Sequence, residues 1–350
     1  MKKYAMYIVL FLVFLFFFLF LTNLTFLNRL IVEYFHERGF FKQEEQILRL
    51  KVYIDDLFYR DNGNSFPKKS NAVIALIRFY DEQKEYEKLI YLYEYYIGRG
   101  EFQKLVKSIF IQPDVDNAGV YSDLANTYFN SKQYHNAIKY YKKAIEMKSS
   151  LKYVKNGAIL DLAEEYNGLV KVYLALGDLN QASINLNKSF EVITESSENI
   201  LQTQFSTDLV ASEYYLKLKD YDNAEKFATN LFLHIPSDTL PIKSYVNHQV
   251  FYLIIANLQM GKVKFAQQRY NEAAMFYKKG RFLTKEFYGK ESPKYVCASF
   301  WHLNSRSKLK QDIENSRGLE DEILNISRKI MKLNNQDNKF DRVQNFCGEY

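Results

Sequence analysis

The fold is decided by residues 121–144, which read YSDLANTYFNSKQYHNAIKYYKKA. Apolar residues recur at spacings of three and four on both sides of a short turn before Tyr134, which predicts two amphipathic helices. Small residues such as Ala125 and Ala137 fall where antiparallel helices must approach closely, and bulky residues fill the volume around them. We therefore predict a helical hairpin with Ala137 wedged between its two helices.

The same pattern recurs along the chain. A second copy covers residues 166–189, where Ala182 takes the place of Ala137, and a third covers 211–236. Weaker copies occupy 76–93 and 260–280. The residue that follows each turn is an aromatic residue or leucine, at positions Tyr86, Tyr134, Leu179, Tyr221 and Tyr270. Internal repetition of this kind predicts stacked helix pairs, in which each pair buries its apolar faces against its neighbours.

The copy at residues 121–144 resembles the tetratricopeptide repeat. It carries a Leu, a small residue and a Tyr on the first helix, then an aromatic residue and alanines on the second. The turn residues above are 42 to 49 apart, longer than the repeat of about 34 usual in that family. Residues 287–296 look like the link between the longer repeats of kinesin-light-chain arrays. The resemblance implies an all-α fold, an α-solenoid of helix-turn-helix repeats, and a role in protein binding.

A membrane anchor is predicted at the N-terminus. Residues 8–21 read IVLFLVFLFFFLFL behind Lys2 and Lys3, and the apolar stretch extended to residues 4–22 has 19 residues. As a helix it would be roughly 28 Å long, close to the thickness of the hydrocarbon core. A cleaved signal peptide is the alternative, but the stretch is long and lacks an Ala-x-Ala-like site. The lysines favour a cytoplasmic N-terminus and an extracytoplasmic array, periplasmic if the source is bacterial.

Four regions follow from these patterns. Residues 1–30 would form the transmembrane signal-anchor, and 31–69 either a helical stalk or an irregular first hairpin. Residues 70–310 would form the repeat array. Residues 311–350 would form a capping helix and a frayed C-terminal tail. The sequence thus predicts one transmembrane helix followed by an all-α repeat domain outside the bilayer.

Charge and cysteine content narrow the function classes. A formal net charge of +6 is too small to indicate a nucleic-acid partner. The stretch 278–294 is locally basic, which fits a solvated helix face, or a site for anionic lipid or for a partner's acidic surface.

The two cysteines, Cys297 and Cys347, lie fifty residues apart. Two such residues exclude a disulfide framework of several bridges and any Cys-x-x-Cys zinc or redox site.

No enzyme signature is present in the sequence. The nearest approach to a phosphate-binding loop, residues 289–292, lacks the upstream glycine and a hydroxyl directly after the lysine. The five histidines form no metal-ligand pair, and adjacent carboxylates such as Glu164 and Glu165 point in different directions on a helix. We therefore predict a non-enzymatic protein without cofactor or metal.

The default binding surface of stacked helix pairs is the groove lined by their first helices. Alignment of the copies places nine polar or charged residues on that surface as candidate partner-binding residues: Arg78, Asp123, Asn126, Asn130, Asn167, Lys171, Glu213, Lys217 and Lys262. The predicted function is a membrane-tethered protein–protein interaction scaffold, an assembly or structural component of a cell-envelope complex. The alternative is a regulatory protein that senses a peptide in the groove.

Overall fold

The structure is a computed structural model, which describes residues 32, 34–36, 38–59, 66–98, 113–150, 157–195, 201–235, 247–309, 318, 320–326, 343 and 347. These residues are helical apart from short turns. The described helices are α1 (Phe41–Tyr59), α2 (Phe66–Glu82), α3 (Tyr86–Gly98), α4 (Pro113–Asn130), α5 (Tyr134–Ser150), α6 (Gly157–Leu176), α7 (Leu179–Glu195), α8 (Leu201–Leu218), α9 (Tyr221–Leu233), α10 (Asn247–Ala266), α11 (Tyr270–Tyr288) and α12 (Pro293–Lys308). The all-α prediction is confirmed for this part of the chain.

The chain divides into two compact units, residues 1–140 and 141–350, which we call the N-terminal unit and the C-terminal unit. In the N-terminal unit α1 packs on α2, α2 on α3, and α3 on α4. In the C-terminal unit the hairpins α6–α7, α8–α9 and α10–α11 follow one another, and α12 packs on α11. The first helices α6, α8 and α10 also contact one another in order, so they form one layer of this unit.

Helix α1 packs within the N-terminal unit through polar contacts as well as apolar ones. Arg49 Nε donates a hydrogen bond of 2.9 Å to the hydroxyl of Tyr80 on α2, which donates in turn to Glu45 Oε1 at 3.1 Å. Lys88 on α3 also donates to Glu45, at 3.1 Å. This is the packing that the hairpin alternative for residues 31–69 predicts. The boundaries of the four predicted regions stay a prediction.

Five hairpins share one turn geometry. In each, a residue with positive φ lies two positions before the start of the second helix, and the next backbone N–H bonds back to a carbonyl five residues earlier. Such a left-handed residue satisfies carbonyls that the first helix leaves open. The second helices begin at Tyr86, Tyr134, Leu179, Tyr221 and Tyr270, as the sequence predicts. The left-handed residues are Lys84, Lys132, Gly177, Lys219 and Gln268.

Small residues form the contacts between helices. Ala137 and Ala182 are both fully buried, as residues between two closely packed helices must be. That each is wedged between its two helices stays a prediction. Gly168 on α6 lies against the ring of Tyr141 on α5, and Gly261 on α10 lies against the ring of Tyr277 on α11; a Cβ atom at either glycine would collide with the ring. Close approach at these positions explains why the repeats place alanine, glycine and serine there.

Two described residues near the C-terminus belong to the packed core, and the rest of the predicted frayed tail lies outside the described residues. Val343 and Cys347 are buried, and they pack with Phe300 of α12 and Ile323 in one apolar cluster. Cys347 forms a disulfide with Cys297 of α12, and their Cα atoms are 5.0 Å apart. The sequence excludes a framework of several disulfides but gives no sign of this single bridge. At Val343 and Cys347 the tail is therefore packed on the last described long helix.

The predicted anchor at residues 4–22 lies outside the described residues, so the anchor stays a prediction. Within the ranges given above, no helix is both long enough and apolar enough to cross a membrane.

Candidate partner-binding groove

In the C-terminal unit α6, α8 and α10 form the layer of first helices on which the groove is predicted. Polar side chains of adjacent helices meet there. Glu213 on α8 and Lys262 on α10 form an ion pair with 4.0 Å between Oε1 and Nζ. One helix further, the hydroxyl of Ser206 on α8 donates to Glu164 Oε2 on α6 at 2.8 Å. These two contacts place the four residues on the same layer of first helices. The prediction that Glu213 and Lys262 share a surface is supported by their contact.

Glu164 and Ser206 lie on the same layer of first helices and were not among the predicted partner-binding residues. Glu164 lies seven residues before Lys171, and Ser206 lies seven before Glu213. A spacing of seven corresponds to about two helical turns, so each pair occupies one face of its helix. That spacing could have identified both residues once Lys171 and Glu213 were chosen.

The accessibility of the candidates in the C-terminal unit fits a binding surface, with one exception. Lys217 is exposed, and Lys171, Glu213 and Lys262 are half-buried with their charged groups near the surface. Half-burial suits a recognition residue, because the aliphatic stem is fixed while the charge stays available. The surface carries both signs of charge, from the carboxylates of Glu164 and Glu213 and from the lysines.

Asn167 is the exception, and its predicted place on the binding surface is wrong. It is fully buried, and its Nδ2 donates to Thr207 Oγ1 on α8 at 2.8 Å. Its Oδ1 accepts from Ser189 Oγ on α7, also at 2.8 Å. The side chain points into the junction of α6, α7 and α8, because a buried amide needs partners and the neighbouring helices supply them. Asn167 holds three helices together and cannot contact a partner in this conformation.

The candidates in the N-terminal unit are all exposed. Asp123, Asn126 and Asn130 lie on α4 at spacings of three and four, so they occupy one face of that helix. Arg78 lies on α2. Asp81 of α2 and Asp123 both face the phenol of Tyr93 on α3; burial first, and then these carboxylates, raise the pKa of that phenol.

Partial burial changes the pKa of one tyrosine on the first helices of the C-terminal unit. The pKa of Tyr252 on α10 is raised, first by burial and then by the charge of Glu164. The Tyr252 ring also packs on Phe205 of α8, with ring centroids 4.6 Å apart. The raised pKa keeps the Tyr252 phenol neutral and able to donate a hydrogen bond.

The same unit contains a partly buried Asp–His pair. His234 Nε2 lies 2.8 Å from Asp208 Oδ2, and burial raises the pKa of that carboxyl while His234 opposes the rise. In the part of the chain that the structure describes, no group of three or more His, Cys, Asp or Glu side chains could hold a metal ion. The exposed groove can present charge and hydrogen-bonding groups to a ligand, and no described feature of it indicates bond-breaking chemistry.

Residues 118–151, which cover most of α4 and all of α5, match the family model of the tetratricopeptide repeat. The match coincides with the copy that is clearest in the sequence. No curated protein is similar enough in sequence to count as a relative.

Solved structures show the same fold. One chain in the structure of the APC/C hetero-tetramer Cut9–Hcn1 is 14% identical in sequence to this chain. The match has a TM-score of 0.51 and covers 90% of this chain and 48% of the Cut9–Hcn1 chain. A signal transduction ATPase with a tetratricopeptide repeat sensor from Pyrococcus horikoshii is 16% identical, with a TM-score of 0.51 over 87% of this chain and 42% of that chain. BtubC (BKLC) from P. vanneervenii is 15% identical, covers 71% and 92%, and has a TM-score of 0.49.

At such low sequence identity, the structural likeness to the first two proteins shows the fold alone. That fold is an all-α helical repeat solenoid of the tetratricopeptide type. This chain spans less than half the length of the first two structures. The kinesin-light-chain likeness of residues 287–296 stays a prediction.

Proposed function

We propose that the chain is a non-enzymatic, membrane-tethered scaffold that holds a protein partner of a cell-envelope complex in the groove of its C-terminal unit. The fold supports this class, because helical repeats of this type bind proteins or peptides on the layer of their first helices. The observation that carries the proposal is the contact of Glu213 with Lys262 across two first helices, with both side chains accessible at the surface.

The Glu213–Lys262 pair is suited to exchange its partners. Its atoms are 4.0 Å apart and each side chain is about one-third exposed, so the pair is loose and hydrated. Exposed ion pairs contribute at most about 1 kcal/mol, so separating the two residues costs little. A partner that offers a carboxylate to Lys262 and a cation to Glu213 would replace one weak pair by two. Recognition would then depend on the order of charges along the partner.

The disulfide supports an extracytoplasmic location for the array. Cys297 and Cys347 are joined, and disulfides persist in oxidising compartments while the cytosol keeps thiols reduced. With residues 4–22 as a single-pass anchor and the N-terminus in the cytoplasm, the array would lie on the oxidising side. Acid-quenched cells treated with a maleimide reagent should show no free thiol on this chain until reductant is added. Two alkylated thiols without reductant would place the array in the cytoplasm.

The partner is tested by site-specific crosslinking in native membranes. A photoreactive residue at Lys217, exposed on the groove helix α8, should give one or more discrete protein crosslinks. The matched control is the same residue at Lys226, exposed on the second helix α9. Charge reversal by Glu213→Lys should weaken the crosslink from position 217 and leave the folded structure intact, because the position is at the surface.

The outcomes separate the candidate functions. Crosslinks to a stable set of envelope proteins from position 217, and not from 226, support the scaffold. Identical products from both positions would refute the groove as the binding surface. Crosslinking to a short peptide alone would favour the regulatory, peptide-sensing alternative and exclude the scaffold.

A further inference from the structure

The outer face of α11 combines exposed apolar side chains with clustered positive charge. Met275 and Phe282 are 71% and 52% exposed, and they lie seven residues apart on one face of the helix. Lys278 and Lys279 are exposed between them. Single exposed apolar residues are common on protein surfaces, but two on one helix face among lysines form a pattern. We call Met275, Lys278, Lys279 and Phe282 the α11 face.

The positive charge of this face is not neutralised within the described residues. The charged side chains of Lys278, Lys279, Arg281 and Lys285 form no hydrogen bond or ion pair with another residue of the described ranges. Glu286 is the exposed acidic residue of the same helix segment. By contrast, the acidic residue at the start of α11, Glu272, is held by Arg269 and Lys264. The second half of α11 therefore presents a net positive surface.

The positive charge of this part of α11 affects a neighbouring residue, His302. His302 of α12 is buried against α11, and its pKa is lowered to about 4, first by burial and then by Arg281, Arg306 and Lys278. Lys278, which belongs to the α11 face, and its neighbour Arg281 therefore act on a nearby group as positive charges.

We propose that the α11 face docks on the surface of an anionic lipid bilayer, with Met275 and Phe282 at the boundary between headgroups and acyl chains and the lysines against lipid phosphates. A helix face of lysines with interspersed apolar residues has the composition of an interfacial membrane site. Clustered lysines near an anionic bilayer each add attraction, which falls off within a Debye length.

A bilayer fits these residues better than an acidic protein does. The cations next to the apolar pair are lysines, which are flexible point charges that follow a fluid array of phosphates. Met275 and Phe282 project outward from a helix, and a bilayer accepts such side chains without a preformed pocket. The proposal does not require the N-terminal anchor, although an anchor would raise the local concentration of lipid.

Hydroxyl-radical footprinting of the full-length chain tests the proposal. The chain is reconstituted in nanodiscs of phosphatidylcholine, with or without phosphatidylglycerol, and oxidation is measured at Met275 and Phe282. On anionic discs the rate should fall severalfold at both positions, while Tyr91 on α3, which is 69% exposed, reports the radical dose. At about 1 M salt, where the Debye length is about 3 Å, the protection should disappear.

Matched charge reversals give the control. The double variant Lys278→Glu/Lys279→Glu should lose the protection, whereas Lys142→Glu/Lys143→Glu, an adjacent exposed pair on α5 with the same change in charge, should keep it. Equal oxidation rates on both kinds of disc would refute the proposal. Protection of Met275 in native membranes but not on anionic discs would assign the face to an acidic protein and would also refute it.

The test stays informative if the proposed anchor fails. A chain that is not retained by the discs can be mixed with vesicles of the same two compositions, and Met275 and Phe282 report docking in the same way. Loss of the chain from discs on carbonate washing would then count against the anchor alone, and an unprotected Met275 against lipid docking alone.

Discussion

The α6–α7 hairpin and the C-terminal end at α12 both bury apolar side chains, but they are held together by different means. In the hairpin the contacts are non-covalent, and the same pattern repeats along the chain. Ala182 is fully buried, and Asn167 is hydrogen-bonded to Ser189 of α7 and to Thr207 of the next helix, α8. At the C-terminal end an irregular apolar cluster covers α12, and the Cys297–Cys347 disulfide ties it in place.

The difference follows from the position of each region in a stack of repeats. A hairpin inside the stack buries its faces against neighbours that carry the same pattern, so many small contacts suffice. The last long helix has no following repeat among the described residues, and its face must be covered by other segments. Residues distant in sequence then have to be held against it, and a covalent bond reduces the entropy lost when they dock.

Loss of the disulfide should have the largest effect. Replacing Cys297 and Cys347 by serine should destabilise the C-terminal end by about 2 to 4 kcal/mol, the usual range for a bridge closing a loop of this size. Thermal melting and hydrogen exchange in α12 measure the change. Reductant should reproduce the effect in the wild type and do nothing to the double variant. An unchanged α12 after reduction would mean that the apolar cluster alone holds the end.

Overpacking the hairpin should come next. Ala182→Leu forces α6 and α7 apart and should cost about 1 to 3 kcal/mol, and Ala137→Leu should do the same in the α4–α5 hairpin. Asn187→Ala, an exposed position on α7, should stay within about 0.5 kcal/mol of wild type. The melting temperature of each variant is the measurement. Equal small effects from Ala182→Leu and Asn187→Ala would show that the hairpin is not tightly packed.

The sequence predicts the hairpins well because their signal is local. The spacing of three and four around Ala137 and the residues after each turn, such as Tyr134 and Tyr221, identify the helix pairs without any distant information. Asn167 was misplaced because its partner Thr207 lies forty residues away on another helix, and a polar residue in a helical pattern looks the same whether it is buried or exposed.

The disulfide was not predicted for the same reason. Two cysteines fifty residues apart can pair only if the tail returns to α12, and no repeat pattern in the sequence indicates that return. Among the groove residues, the contact of Glu213 with Lys262 could be anticipated from aligned repeats. The seven-residue spacing that leads to Glu164 and Ser206 is also local, so their omission was avoidable.

Acid should weaken the C-terminal end more than the hairpins. His302 has an ordinary pKa of 6.5 that falls to about 4 in the folded protein. Between these values the unfolded chain binds a proton that the folded chain does not, so stability is full above about pH 6.5 and falls as the pH drops towards 4. The loss should be on the order of 3 kcal/mol at pH 4.

The variant His302→Gln isolates this effect, because the other titrating groups remain. Its stability should change less between pH 7 and pH 4 than that of the wild type, measured by urea unfolding followed in α12. A pH dependence unchanged by the substitution would show that His302 titrates normally and is not held neutral at the C-terminal end.

Substitutions in the hairpin turns should change the free energy of unfolding least. They test whether the backbone of the repeats is strained at the turn residues with positive φ. Gly177 has φ +77° in its turn, a conformation that disfavours residues with a Cβ, although no atom lies within 4 Å of the position a Cβ would take. Gly177→Ala should therefore cost about 1 kcal/mol through the backbone alone.

The same turn in the α4–α5 hairpin has Lys132 at φ +62°, so Lys132→Gly should relieve strain and raise stability by less than about 1 kcal/mol, partly offset by the freedom glycine adds to the unfolded chain. Gly119→Ala is the matched control, since Gly119 lies inside α4 with nothing within 4 Å of the position that a methyl group would occupy, and alanine there should stabilise by about 0.5 to 1 kcal/mol. Opposite signs for Gly177→Ala and Gly119→Ala would place the strain in the turns. At the C-terminal end α12 ends at Lys308, and its C-cap residue Leu309 has φ −83°. A change to glycine is therefore not expected to stabilise that position. Equal signs at positions 177 and 119 would mean that the turn is not held in the left-handed conformation, and the comparison between hairpin and end would lose its backbone component.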